Sequence, residues 1–271
     1  MTKIDAAAQA IMQELRIVTT SWDDGYPKDL KVADLLSSRR LAGTFYIPIQ
    51  GVNGKTILDG AAIRNLAGHG FEIGGHGYSH RNLTNLSPNE LYQDVTLSLR
   101  TLEEALGASV RMFCYPNGRC NKKVIRVLKE AGLQGCRTTR MLHTSLDFRS
   151  FEMPVTLQAY PHSPMAYFKN LAKEQSVRAL WRYMPSVCSS ADWVDVGRTL
   201  FDIVMREGGI WHLYGHSWEI EELGLWSALE EMLDYVSNCR EVLYLSNHDL
   251  LDILCRPLRR NLPESLPLYK S

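Results

Sequence analysis

The sequence predicts an α/β fold built on a parallel sheet, and two observations carry that expectation. Short apolar segments of strand length alternate with amphipathic segments of helical period along most of the chain. The 271 residues also suit one large domain better than two. Closing such a sheet into a barrel is one way to leave no edge exposed. The composition agrees: with 45% hydrophobic and 22% charged residues the chain is an ordinary globular one, which excludes disorder, collagen-like repeats and coiled coil. Thirty Lys+Arg against thirty Asp+Glu give no global field to attract nucleic acid or an anionic membrane surface.

In chain order, strands are expected at 17–21, 43–47, 71–75, 112–115, 135–138, 153–158, 210–214 and 242–245. Helical periodicity falls at 29–38, 59–67, 87–106, 122–130 and 223–237. The third of these helices opens on Ser-Pro-Asn-Glu, with Ser87 as cap, Pro88 in the first helical position and Glu90 placed to close a capping box. The stretch 160–195 breaks the alternation. Its aromatic and proline content (Tyr160, Pro161, Pro164, Tyr167, Trp181, Tyr183, Pro185) reads as an insertion. Residues 1–15 read as an extension, 16–256 as the barrel and 257–271 as a tail. The first sixteen residues hold no apolar run of the length a signal peptide needs, and no stretch approaches a membrane-spanning helix, so a cytoplasmic protein is expected. The six cysteines include no CxxC pair and read as reduced, mostly buried thiols.

In α/β barrels the functional groups gather at the C-terminal ends of the strands. The first strand ends in Asp23-Asp24-Gly25. Neighbouring carboxylates on an extended segment point opposite ways, so one could bind a cation while the other acts as a base; Asp-Gly is also a common turn dipeptide. After the third strand stands His76-Gly77-Tyr78-Ser79-His80, two imidazoles four apart that share a face if the segment is helical. The late strand runs Trp211-His212-Leu213-Tyr214-Gly215-His216, placing His212 and Tyr214 on one face, Leu213 on the other and His216 just past the end. His69, His143, His162 and His248 read as ordinary surface or core histidines. Together the strand ends supply one carboxylate and two imidazoles for a divalent ion with open positions, a second carboxylate as base and a distant imidazole as acid. Trp22, Tyr115 and Trp218 fit either sugar stacking or core packing.

These motifs, in this order, resemble the polysaccharide deacetylase family, also called the NodB-homology or carbohydrate esterase family 4 fold, over about residues 16–252. The resemblance implies an irregular (β/α)7-type, TIM-like barrel in a single domain. It implies hydrolysis of an N-acetyl or other N-acyl group on a sugar, with Asp23 as base and His216 as acid. Asp24, His76 and His80 would hold the metal ion, zinc first by ligand type, with nickel, cobalt or iron also fitting. Tyr115, Pro116, Asn117, Leu213 and Trp218 would line the substrate. Three departures stand out. Cys114 occupies the place of the family's third-motif arginine, which leaves Arg111 and Arg137 as candidates to position Asp23; Asn117 stands where that motif has an aromatic; and Gly77 replaces a Ser or Thr. The phrase His216-Ser217-Trp218-Glu219 resembles relatives of bacterial surface-polysaccharide and lipopolysaccharide synthesis. The implied partner is an N-acylated sugar, free, nucleotide-linked or lipid-linked. The alternatives are a metal-binding pseudoenzyme or carbohydrate-binding protein on the same fold, or an amidohydrolase of a non-sugar amide.

Overall fold

The computed structural model describes residues 14–173 and 192–255. Its centre is β1 (Arg16–Asp23), flanked by parallel strands on both sides. The others are β2 (Thr44–Ile47), β3 (Glu72–Gly75), β4 (Met112–Cys114), β5 (Gly135–Arg137), β6 (Leu157–Gln158), β7 (Gly209–Gly215) and β8 (Val242–Tyr244). The sheet runs β5-β4-β3-β2-β1-β7-β6, with β8 also pairing β1. It curls until a single parallel bridge, Arg137 with Met153, joins its far edges. This is the irregular barrel the sequence implies, with all eight expected strands in place. The segment 153–158 contributes only two residues to the ladder, because Pro154 has no N–H to donate within it.

The helices follow their signals closely. They are α1 (Asp29–Ser38), α2 (Gly60–Gly68), α3 (Pro88–Leu106), α4 (Lys122–Glu130), α5 (Pro164–Lys173), α6 (Trp193–Glu207), α7 (Ser217–Glu222), α8 (Trp226–Val236) and α9 (Asn247–Cys255). Asp59 caps α2 by accepting from Ala62 N at 2.8 Å. At α3 the capping box forms as expected, Ser87 N donating to Glu90 Oε2 at 2.9 Å. The expected insertion at 160–195 is helical on both flanks, α5 entering and α6 leaving; 174–191 lies outside the described residues, as do the tail 257–271 and all but the end of the extension 1–15.

Two apolar layers follow from strand alternation. Inside the barrel lie Ile17, Tyr46, Met112, Cys114, Met153, Ile210 and Leu243, closed at one end by Leu250 and Leu251 of α9. Outside, Val18, Trp22, Phe45, Phe113, Trp211 and Leu213 meet the surrounding helices. Each such side chain contributes roughly 1.5–3 kcal/mol through burial, so the framework that carries the strand ends is rigid. No helix among the described residues is long and apolar enough to cross a membrane.

Candidate active site

The C-terminal ends of β1, β3 and β7 converge on one polar centre. Asp23 is the last residue of β1, and its side chain enters the barrel. Asp24 has φ +75°, so it is not part of the extended run and its carboxylate swings toward the β3 end. The helical pairing considered for His76 and His80 does not occur. The chain instead turns at Gly77 (φ +80°) and His80 (φ +52°), which brings the two rings to 4.8 Å between centroids. A Cβ on Gly77 would lie 3.1 Å from Asp94 Oδ1, so the left-handed turn against α3 admits glycine there. Asp94 holds the loop in place, accepting from Tyr78 N at 2.8 Å and Ser79 Oγ at 3.3 Å. Two non-glycine residues in the left-handed region, each costing of order 1 kcal/mol or more, meet at one carboxylate, and strain of this kind concentrates where function requires a fixed geometry.

The donor set fits a divalent cation. Asp24 Oδ1 stands 3.5 Å from His76 Nε2 and 3.3 Å from His80 Nε2, and candidate ligand atoms of the three residues all lie within 4.8 Å of one another. Asp24 Oδ1 is buried and has no hydrogen-bond partner among the described residues. An acceptor left bare inside a protein is costly unless something positive satisfies it. The outer atoms orient the inner ones: His76 Nδ1 donates to the Cys114 carbonyl at 2.8 Å, turning Nε2 inward, and Trp218 Nε1 donates to Asp24 Oδ2 at 2.9 Å. Burial opposes the charge of Asp24, yet the neighbouring imidazoles, His76 foremost, hold its pKa below the ordinary range. Burial and the charge of His76 bring His80 down to about 4, leaving its lone pair free at neutral pH.

Asp23 and His216 face each other across this centre. Asp23 ion-pairs with Arg137, a fully buried guanidinium lying over the rings of Tyr46 (5.3 Å) and Tyr214 (4.7 Å). Burial works against ionised Asp23, and Arg137, His76 and His216 overcome it, so its pKa lies below the usual value. His216 Nε2 stands 3.9 Å from Asp23 Oδ2 and 4.0 Å from Asp24 Oδ2. Its other nitrogen donates to Glu219 Oε2 at 2.6 Å. Burial would discharge His216, but Glu219 and the two aspartates raise its pKa above the ordinary imidazole value. Behind Glu219, Gln158 Nε2 donates to the same carboxylate oxygen at 3.0 Å, while Gln158 Oε1 accepts from Tyr214 OH at 2.6 Å and from His162 at 2.8 Å. That arrangement fixes the amide orientation and puts the His162 proton on Nε2.

Residues 12–136 match the family model for polysaccharide deacetylase. That stretch is just under half of the chain, and over it the chain is similar to the polysaccharide deacetylase family. A curated relative, a putative polysaccharide deacetylase (YxkH) of Bacillus subtilis (strain 168), is 23% identical over 125 residues, covering 46% of this chain and 45% of that protein. The alignments span less than half the length of the curated relatives, 34% and 45%. The fold is shared with a putative polysaccharide deacetylase from Mycobacterium smegmatis (TM-score 0.60, 17% identity, 92% of this chain and 95% of that one). It is also shared with a family 4 acetyl xylan esterase from Clostridium thermocellum in complex with a cobalt ion (TM-score 0.56, 18% identity, 88% and 91%).

Against the deacetylase pattern, the missing third-motif arginine is replaced from the neighbouring strand. Cys114 of β4 registers with Arg137 of β5, and the small thiol lies 3.7 Å from Asp23 Oδ2 and leaves room for the guanidinium to reach the same carboxylate. Arg111, the other candidate, is at the opposite end of the barrel, with Nη1 3.3 Å from His248 Nε2. The expected substrate residues divide. Trp218 is half-buried beside the His216 ring at 5.6 Å, and Asn117 is exposed with φ +57°. Tyr115 is fully buried, its hydroxyl donating to the Phe151 carbonyl at 2.9 Å, so it offers no stacking face. Pro116 is buried as well, and Leu213 and Trp22 are fully buried in the outer core. They support the site from behind because alternation turns them toward the helices. Glu219, Gln158, Asp94 and His162 were not singled out as site residues. Only Glu219 carried a local signal, lying three residues after His216 at a helix start.

Proposed function

We propose that this chain is a metal-dependent hydrolase that removes an N-acetyl or other N-acyl group from a sugar. The observation that carries the reading is the bare, buried Asp24 Oδ1 facing two imidazole nitrogens, with an ionised aspartate on one side and a protonatable histidine on the other. A divalent ion bound by Asp24, His76 and His80, zinc by ligand type, would polarise the acyl carbonyl and acidify a water molecule. Asp23 accepts the proton of the attacking water, and Arg137 keeps its carboxylate ionised and aimed for that step. Tyr115 N–H is committed to the Arg137 carbonyl at 3.3 Å and Pro116 has none. Asn117 N–H is therefore the amide of that loop left for the developing oxyanion. His216, held by Glu219 as an imidazolium, protonates the departing amine.

The substrate in this reading is a precursor of a bacterial surface polysaccharide or lipopolysaccharide, handled in the cytoplasm. The free thiols of Cys114, Cys120, Cys136 and Cys239 support a reducing compartment. The test is metal analysis beside acetate release from N-acetylated sugars. His80→Ala should lose both the ion and turnover, and full activity in a metal-free His80→Ala would overturn the proposal. His216→Ala should retain the ion while kcat falls by about 10²–10⁴, the usual worth of a lost general acid.

A further inference from the structure

Beside the catalytic centre, at the C-terminal ends of β4 and β5, lies a cavity of about 410 Å³. Its walls come from segments that adjoin the site, following β3, β4 and β5. Thr84 follows His80 by four residues, Gly118 follows Pro116 by two, and Thr138 is the neighbour of Arg137. Gly118 has φ +65°, and a Cβ there would fall 2.1 Å from Thr139 Oγ1, so the loop seats directly on the end of β5. Strand spacing puts the cavity roughly 5–10 Å sideways from the β3 end that carries His76, within reach of one bound substrate.

The lining is cationic. Arg119 and Arg140 both line the cavity. Arg140 Nη2 donates to the Glu152 carbonyl at 2.9 Å, which fixes that guanidinium against the wall. The cavity's one carboxylate, Glu152, is paired with Arg149 at 3.2 Å. In a chain of zero net charge, the two arginines give this cavity a locally positive wall, while the hydroxyls of Thr84 and Thr138 already donate to Asn82 Oδ1 and the Met153 carbonyl. The planar fork of guanidinium matches phosphoryl oxygens with paired hydrogen bonds. The volume exceeds what one phosphate fills and lies in the range of small-ligand sites.

We propose that this cavity binds the phosphoryl group of the substrate, so that the sugar deacylated at Asp23 and His216 is a glycosyl phosphate or diphosphate. The inference rests on the deacylase reading for its substrate, but the anion site is testable without turnover. Inorganic pyrophosphate is titrated into the metal-loaded full chain by calorimetry, beside Arg119→Gln, Arg140→Gln and the double variant. Both arginines are exposed, so the variants should fold, and the ion ligands are untouched in all of them. Pyrophosphate should bind about tenfold more weakly for each arginine lost, and more weakly in higher salt.

The second arm compares acetate release from a nucleoside-diphosphate N-acetylhexosamine, a prenyl-diphosphate N-acetylhexosamine in detergent, and a neutral N-acetylhexosamine oligomer. The double variant should lower kcat/KM at least tenfold for whichever diphosphate is the substrate and leave the neutral sugar unchanged. Arginine-dependent pyrophosphate binding without turnover of any sugar would uphold the anion site and sink the deacylase reading. Equal turnover of neutral and phosphorylated sugars, or pyrophosphate binding indifferent to both arginines, would overturn the anion site.

Discussion

Each end of the barrel takes a carboxylate out of water, almost fully for Asp23 and partly for Glu72, and their pKa values are pushed in opposite directions. At the C-terminal end, Asp23 meets Arg137, His76 and His216, and cations keep it ionised despite its burial. At the N-terminal floor, Glu72 meets only neutral donors: Thr44 Oγ1 at 2.7 Å and the His248 N–H at 3.0 Å, the latter from the first turn of α9. Asn247 completes the floor, its N–H donating to Thr44 Oγ1 at 3.0 Å, its amide to Tyr46 OH at 2.9 Å, and its carbonyl accepting from Thr19 at 2.8 Å. Burial there outweighs the hydrogen bonds and pushes the Glu72 pKa up to about 7. One scaffold thus shows both solutions to a buried acid. Pairing with cations favours the ionised carboxylate, and burial among neutral donors strengthens its hold on a proton.

The contrast breaks most visibly at Arg137. Arg137→Met would leave Asp23 buried and unpaired, and removing one partner of such a pair costs about 3–5 kcal/mol. Asp23→Asn in the same chain should recover most of that loss, because no charge remains to be stranded. Activity should be absent in both. Urea midpoints for the four members of this cycle decide it, and additive effects would mean that the pair is not what holds the upper end together.

Glu72→Gln tests the lower end. The folded pKa of about 7 lies above the unfolded value of 4.5, so the bound proton favours the fold. That contribution is complete below about pH 4.5 and is lost as the pH rises through 7, a change of at most about 3 kcal/mol. Glutamine keeps the acceptor for Thr44 and His248 without a titration. The stability difference between wild type and variant should therefore shift toward the variant between pH 5 and pH 8, with turnover at fixed pH unchanged. A difference independent of pH would show that Glu72 is ionised like Asp23, and the contrast would disappear.

The two ends were not equally legible in the sequence. Asp23-Asp24, His76 with His80, and His216 each sit directly after an apolar strand, so chain-local pattern was enough to place them at one rim. Arg137 was legible only as a candidate. It is separated from Asp23 by 114 residues, and an arginine inside a three-residue buried strand gives no local sign of the partner it faces. The segment 160–195 reads as an insertion on its proline and aromatic content alone, and of it only the flanks, α5 and the start of α6, are described. The floor was invisible for a related reason. Thr19, Thr44, Glu72 and Asn247 are polar residues on four elements, and only the closing of the barrel brings them together.

The smallest expected effect belongs to Glu219, which extends the upper solution by one more residue. Its carboxylate accepts from His216 and from Gln158, and it is the strongest of the influences that raise the His216 pKa against burial. Glu219→Gln removes the charge and keeps the shape, so the ion should stay bound and the fold should be unaffected. The imidazolium would then survive only to lower pH, and the alkaline limb of the kcat profile should move toward acid. The loss of kcat should therefore grow as the pH rises past that limb and vanish well below it. A uniform drop with no movement of that limb would mean that Glu219 only packs beside the ring. A moved limb with an intact acid limb would show that Asp23 and His216 are tuned by separate counter-charges, Arg137 for the base and Glu219 for the acid.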